Sequence, residues 1–136
     1  MTIPYMEQQV IVKASSINGR GVFAARNFKK GEVVLHWDVS FVLAKEEVDA
    51  LDHEQRKYIS PYKGKFIMQQ PPACYVNHSC EPNTCVVDEC KDVALRDIKQ
   101  GEEITSDYTL FFLPGETMRC TCNAKTCRKL LRRRKQ

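Results

Sequence analysis

The sequence contains no apolar run of the roughly 18 residues that a membrane-spanning helix needs. Its first residues, MTIPYMEQQV, have neither a basic stretch nor an apolar core like those of a secretory signal, so export is not expected. No base-reading nucleic-acid motif is visible. A disordered chain would be poor in apolar residues and rich in charge. Here 43% of residues are hydrophobic and 28% charged, the balance of a folded domain. At 136 residues the chain suits one domain rather than two.

Acidic residues are missing from the last nine positions, which hold six of the 21 basic ones: Arg128, Lys129, Arg132, Arg133, Arg134 and Lys135. The remaining body carries 15 basic and 17 acidic residues. The formal charge of +4 therefore describes a slightly acidic body with a basic tail. Such a tail can contact nucleic acid or an acidic surface, or be a solvated terminus.

Seven cysteines do not suit a closed disulfide framework, and the reading is of thiols in a reducing compartment, nucleus or cytoplasm. Cys74, Cys80, Cys85 and Cys90 are scattered. Cys120, Cys122 and Cys127 form C-x-C-x4-C in a polar, basic segment with little core to enter. Three thiolates at this spacing point to a zinc site whose fourth ligand comes from the body, with the four scattered cysteines as candidates. A metal there would pin the C-terminal segment to the domain.

The local pattern predicts many short strands and one helix, a mainly-β or β-rich α+β domain. Val10–Val12 reads as a strand before a hairpin turn at Asn18-Gly19. Ala44, Val48, Leu51, Gln55 and Tyr58 recur at helical spacing, predicting one amphipathic helix over 44–59 that Pro61 ends. Ala24–Val34 and Ala94–Ile104 align at a constant offset, with Ala, Arg, Lys, Gly and Glu matching. They read as two strand–turn–strand units facing each other in one fold, or as convergence on a good turn sequence.

Four segments in order resemble the SET-domain family of protein-lysine methyltransferases. Gly19-Arg20-Gly21-Val22-Phe23-Ala24 is similar to its G-x-G segment. Asn77-His78-Ser79-Cys80 is similar to its N-H-S-C motif, and Glu103–Tyr108 to its E-L-x-x-D-Y motif. Cys120, Cys122 and Cys127 resemble its post-SET cysteines. The resemblance runs from about Val10 to Cys127.

It implies a fold of short strands in small sheets with a pseudoknot and a zinc-bound C-terminal segment. The corresponding divisions are a lead-in over 1–9, a SET domain over 10–115, a post-SET zinc segment over 116–131 and a basic tail over 132–136. It implies methyl transfer from S-adenosylmethionine, leaving S-adenosylhomocysteine, to a lysine of a protein substrate such as a histone. By the same resemblance Tyr108 is the catalytic tyrosine, and Gly19, Arg20, Gly21, Asn77 and His78 hold the cofactor. Leu130 or Leu131 packs over it, Leu130 being preferred. Cys80 joins Cys120, Cys122 and Cys127 as the fourth zinc ligand.

The sequence departs from the family at Ser106, where Phe or Tyr is usual, and at Leu35-His36-Trp37-Asp38, where no Tyr-x-Gly-Glu run appears. Two other classes remain: a SET fold that only binds a partner, and a zinc-stabilised nucleic-acid binder acting through the basic tail. No membrane partner is expected.

Overall fold

The computed structural model describes residues 9–113 and 115–133. The expected lead-in over its first eight positions and the last three residues of the expected basic tail lie outside the described residues. Twelve short strands form four small sheets among the described residues.

The first sheet carries the functional motifs. Strand β1 (Val10–Ala14) pairs antiparallel with β2 (Arg20–Ala24) through the hairpin signalled by Asn18-Gly19. Gly19 takes φ +44°, which glycine adopts without a Cβ penalty. Strand β10 (Glu103–Ser106) lies antiparallel to β2 on one side. On its other side it runs parallel to the two-residue β7 (Asn77–His78), with Thr105 opposite Asn77 and Ser106 opposite His78. This pairing brings together the two segments from which the expected pseudoknot is built.

A second sheet has the order β3 (Val33–His36), β9 (Lys91–Ala94), β8 (Thr84–Val87). A third has the order β4 (Val42–Leu43), β6 (Lys65–Met68), β5 (Ile59–Tyr62). Strands β11 (Thr117–Arg119) and β12 (Leu130–Arg132) close the C-terminal segment as an antiparallel pair. The shared core holds Val22, Phe28, Leu35, Ile67, Ile98 and Ile104, each no more than 2% exposed.

The two similar units do face each other. Phe28 and Ile98 exchange both backbone hydrogen bonds at 2.8 Å. Gly31 N–H reaches Ala94 O at 2.9 Å, and Gly101 N–H reaches Ala24 O at 2.8 Å. Arg26 pairs with Glu32 and Arg96 with Glu102, both at 3.0 Å. The result is a local two-fold relation that locks β2 and β10 to β3 and β9.

The single helix expected over 44–59 is divided. The structure has α1 (Lys45–Asp49) and α2 (His53–Arg56), and Ile59 already belongs to β5. Asp52 causes the break by capping a new helix: its carboxylate accepts the Gln55 N–H at 2.8 Å. Pro61 lies within β5, an edge strand of its sheet, where a missing N–H is tolerated. No helix among the described residues is long and apolar enough to cross a membrane.

Candidate active site and metal centre

A cavity of about 770 Å³ opens between the first, second and third sheets and the C-terminal segment. Gly19, Arg20, Asn77, His78, Tyr108 and Leu130 all line it. Six of the seven residues proposed for the catalytic and cofactor roles therefore meet in one place, although they span more than 100 positions of sequence.

Gly21, the seventh, does not line the cavity. Its missing side chain serves a neighbour instead, because a Cβ there would collide with the Glu103 carboxylate. That carboxylate accepts the one Ser15 hydroxyl proton, shared between its two oxygens at 2.8 Å each, and a hydrogen bond from the Asn77 amide at 2.9 Å. The same Asn77 amide donates to the carbonyls of Asn18 at 3.1 Å and Arg20 at 3.0 Å. Asn77 thus fastens the β1–β2 turn to β10.

His78 is 3% exposed and bonded at both ring nitrogens. Its Nδ1 accepts the Tyr108 backbone N–H at 3.0 Å, and Nε2 lies 3.4 Å from Cys80 Sγ. Nδ1 as acceptor makes Nε2 the protonated nitrogen, with its hydrogen toward the sulfur. Burial lowers its pKa to about 4, Asp107 opposing and Arg128 adding to the shift. The ring is therefore neutral at physiological pH. The Tyr108 ring meets it edge-on at 5.5 Å.

The Tyr108 hydroxyl donates to the carbonyl of Val76. Burial first, then the neighbouring Tyr58, Asp92, Cys74 and Glu103, raise its pKa well above the usual tyrosine value. The residue acts as a neutral hydroxyl with its oxygen lone pairs available.

The Sγ atoms of Cys80, Cys120, Cys122 and Cys127 all lie within 4.8 Å of one another, a group able to hold a metal ion. Cys80 and Cys120 are 3.8 Å apart, close to the roughly 3.8 Å edge of a tetrahedron with metal–sulfur bonds of about 2.3 Å. Backbone N–H groups also point at this cluster: Cys80 to Cys122 Sγ at 3.5 Å and Arg128 to Cys80 Sγ at 3.3 Å. Burial raises the Cys122 pKa, but hydrogen bonds from Cys80 and Ala124 and the neighbouring thiols outweigh it and bring it to about 6. The donor set and its hydrogen bonds fit a thiolate-bound metal. The body cysteine that joins the three late ones is Cys80; Cys74, Cys85 and Cys90 stay outside the cluster.

Three further residues, given no site role by the sequence, join this assembly. Arg128, counted there only as tail charge, donates to Asp107 at 3.0 Å and through Nε to Cys80 Sγ at 3.3 Å. It ties the cysteine cluster to the residue preceding Tyr108. Burial raises the Asp107 pKa, but the Thr109 hydroxyl and N–H and Arg128 outweigh that, so its carboxyl stays below the ordinary range. Glu103 supports the β1–β2 turn as described. Asp92, fully buried, lines the cavity and accepts the Trp37 indole N–H at 2.7 Å.

The SET domain model matches residues 19–109. The chain belongs to the SET domain family. Trithorax of Drosophila virilis, a histone-lysine N-methyltransferase, is 34% identical over an alignment covering 86% of this SET domain chain. Human histone-lysine N-methyltransferase 2B is 32% identical, covering 92% of it. The chain spans only 3% and 5% of those relatives' lengths. The SET fold is also seen in the crystal structure of a Plasmodium falciparum protein described as a candidate histone methyltransferase. That structure matches with a TM-score of 0.63 at 22% identity, covering 75% of this chain and 94% of the other.

Leu130 is 45% exposed where it lines the cavity, while its neighbour Leu131 is fully buried opposite Met118. Strand alternation thus gives the two leucines different duties, one at the cavity and one in the core.

Proposed function

We propose that this SET domain is a protein-lysine N-methyltransferase using S-adenosylmethionine. The observation that carries the reading is the meeting of Asn77, His78 and Tyr108 in one cavity beside a four-cysteine cluster. Residues 10–115 would form the catalytic domain and 116–131 the metal-bound closing segment.

Gly19, Arg20, Asn77 and His78 would hold the cofactor, with Leu130 packed over it. Gly21 acts on that wall indirectly, by leaving room for Glu103. Zinc is the metal that suits four thiolates, and its ligands would be Cys80, Cys120, Cys122 and Cys127. Its role here is structural, since all four positions are filled by protein. S-Adenosylmethionine supplies an activated methyl group on a sulfonium. The chain's own task is to present a neutral lysine amine to it in line. A free lysine has a pKa near 10.4, and burial in an aromatic cavity lowers it. The neutral Tyr108 hydroxyl, fixed by Val76, can then hold the amine in place.

The substrate is read as a protein with an accessible lysine, for which the histone substrates named for the relatives are a model. The slightly acidic body favours a basic peptide. A nuclear or cytoplasmic address and a reducing environment suit free thiolates. The direct test is calorimetric titration of the zinc-loaded protein with S-adenosylmethionine. The reading expects saturable binding that Asn77→Ala weakens, and absence of binding overturns it.

A further inference from the structure

Strand β9 alternates its sides, with Asp92 and Ala94 turned inward and Lys91 and Val93 half-buried. The inward side of a short core strand is a place for apolar residues. Asp92 is instead a carboxylate only 1% exposed. Burying a carboxylate is costly unless it is paired.

The pairing is incomplete. Asp92 Oδ2 accepts the Trp37 indole N–H at 2.7 Å, whereas Oδ1 has no hydrogen-bond partner. Asp92 and Trp37 both line the cavity that contains Tyr108. Asp92 is also near enough to Tyr108 to make its phenol harder to ionise. The other acid along this wall, Glu116, is engaged by the Leu113 N–H at 2.8 Å. Trp37, Tyr58 and Tyr75 add aromatic surface to the same cavity, the kind of lining that favours a cation.

We propose that Asp92 is the receptor for the cationic amine of the incoming side chain, with Oδ1 accepting a hydrogen bond from its N–H. This rests on the methyltransferase reading, which puts a lysine in this cavity. An amine cation brought beside a cationic methyl donor is repelled. A buried carboxylate offsets that repulsion, directs the nitrogen and takes one N–H proton, so that the ammonium and carboxylate become the neutral amine that attacks the methyl group and a neutral carboxyl. Burial raises the Asp92 carboxyl to about 7, so above neutrality the group is an anion ready to pair. The apparent defect at a core position is on this account a specificity device: it selects an amine over a neutral chain of the same shape.

The test uses n-butylammonium, which has the length and charge of a lysine side chain, and n-butanol as the neutral control. Binding of each to the zinc-loaded protein is measured by calorimetry at pH 8. The wild type should bind the cation in preference to the alcohol. Asp92→Asn, which keeps an acceptor for Trp37, should weaken the cation roughly tenfold to a hundredfold, the span expected for a hydrogen bond to a charged group. It should leave the alcohol unchanged. Asp92→Leu restores an apolar residue to the strand pattern and provides a second variant should the asparagine fail to fold. Cation binding of wild-type strength in a folded Asp92 variant, or no preference for the cation in the wild type, overturns the proposal. Methyl transfer is assayed separately. Amine binding that depends on Asp92, without transfer to any protein, would remove the enzyme reading and still support an amine site.

Discussion

The backbone N–H of Tyr108 donates to Nδ1 of His78 across 3.0 Å, although 30 positions separate them. The Tyr108 hydroxyl reaches back to the carbonyl of Val76, two residues before His78. Tyr108 is therefore held at both ends by one short segment. The other ring nitrogen of His78 faces Cys80, so the same segment meets the cysteine cluster. Cavity and cluster share a single support.

Tyr108→Phe removes the hydroxyl and leaves the ring and the backbone bond to His78 in place. Transfer should fall by roughly a hundredfold or more, the scale of losing one preorganised hydrogen-bonding group in an active site. S-Adenosylmethionine affinity should change little. Single-turnover kinetics together with calorimetry separate the two effects.

Cys122→Ser removes one of four clustered thiols. Metal content and cofactor affinity should fall together, because the segment carrying Leu130 is held to the body through Cys80 and Arg128. Elemental analysis beside a binding titration checks this. Metal loss with unchanged cofactor affinity would break the coupling.

Gly21→Ala should destabilise the fold by about 1–3 kcal/mol, the cost of disturbing buried polar contacts. The new Cβ displaces a Glu103 carboxylate that Ser15 and Asn77 hold in place. In a Glu103→Ala background the same change should cost much less, and a double-mutant cycle by urea denaturation measures the difference.

Asp92 gives stability a pH dependence of unusual sign. Its folded pKa of about 7 lies above the unfolded value of 3.8, so the native state holds the proton more tightly. Its protonated form favours folding at low pH, and that contribution is lost as pH rises from about 4 to about 7. His78, with its lowered value, acts in the opposite direction over much of this range. The difference between wild type and Asp92→Asn isolates Asp92. It should grow in favour of the variant as pH rises, measured by denaturation from pH 5 to 8.

The parts of this site that were legible in the sequence are those written over short distances. Cys120, Cys122 and Cys127 lie within eight residues, and Asn77–Cys80 and Glu103–Tyr108 are contiguous. The repeated turns were visible because Gly31 and Gly101 need positive φ, which the structure records as 89° and 92°. What was not legible depends on pairing across the chain. Trp37 and Asp92 are 55 positions apart, and Arg128 reaches Asp107 over 21. An acid on a strand or an arginine in a basic run carries no local mark of its partner. The helix over 44–59 was misjudged for a related reason. Apolar spacing reports a buried face, but the Asp52 cap that divides the helix follows from one side chain competing for the backbone.

Methyl transfer itself tests the central claim most directly. The zinc-loaded protein is incubated with methyl-labelled S-adenosylmethionine, core histones and a whole-cell extract, beside Tyr108→Phe. The account predicts label on a discrete protein, released as methyl-lysine on hydrolysis and lost with the variant. Label absent from every protein, or equal in both samples, would contradict it.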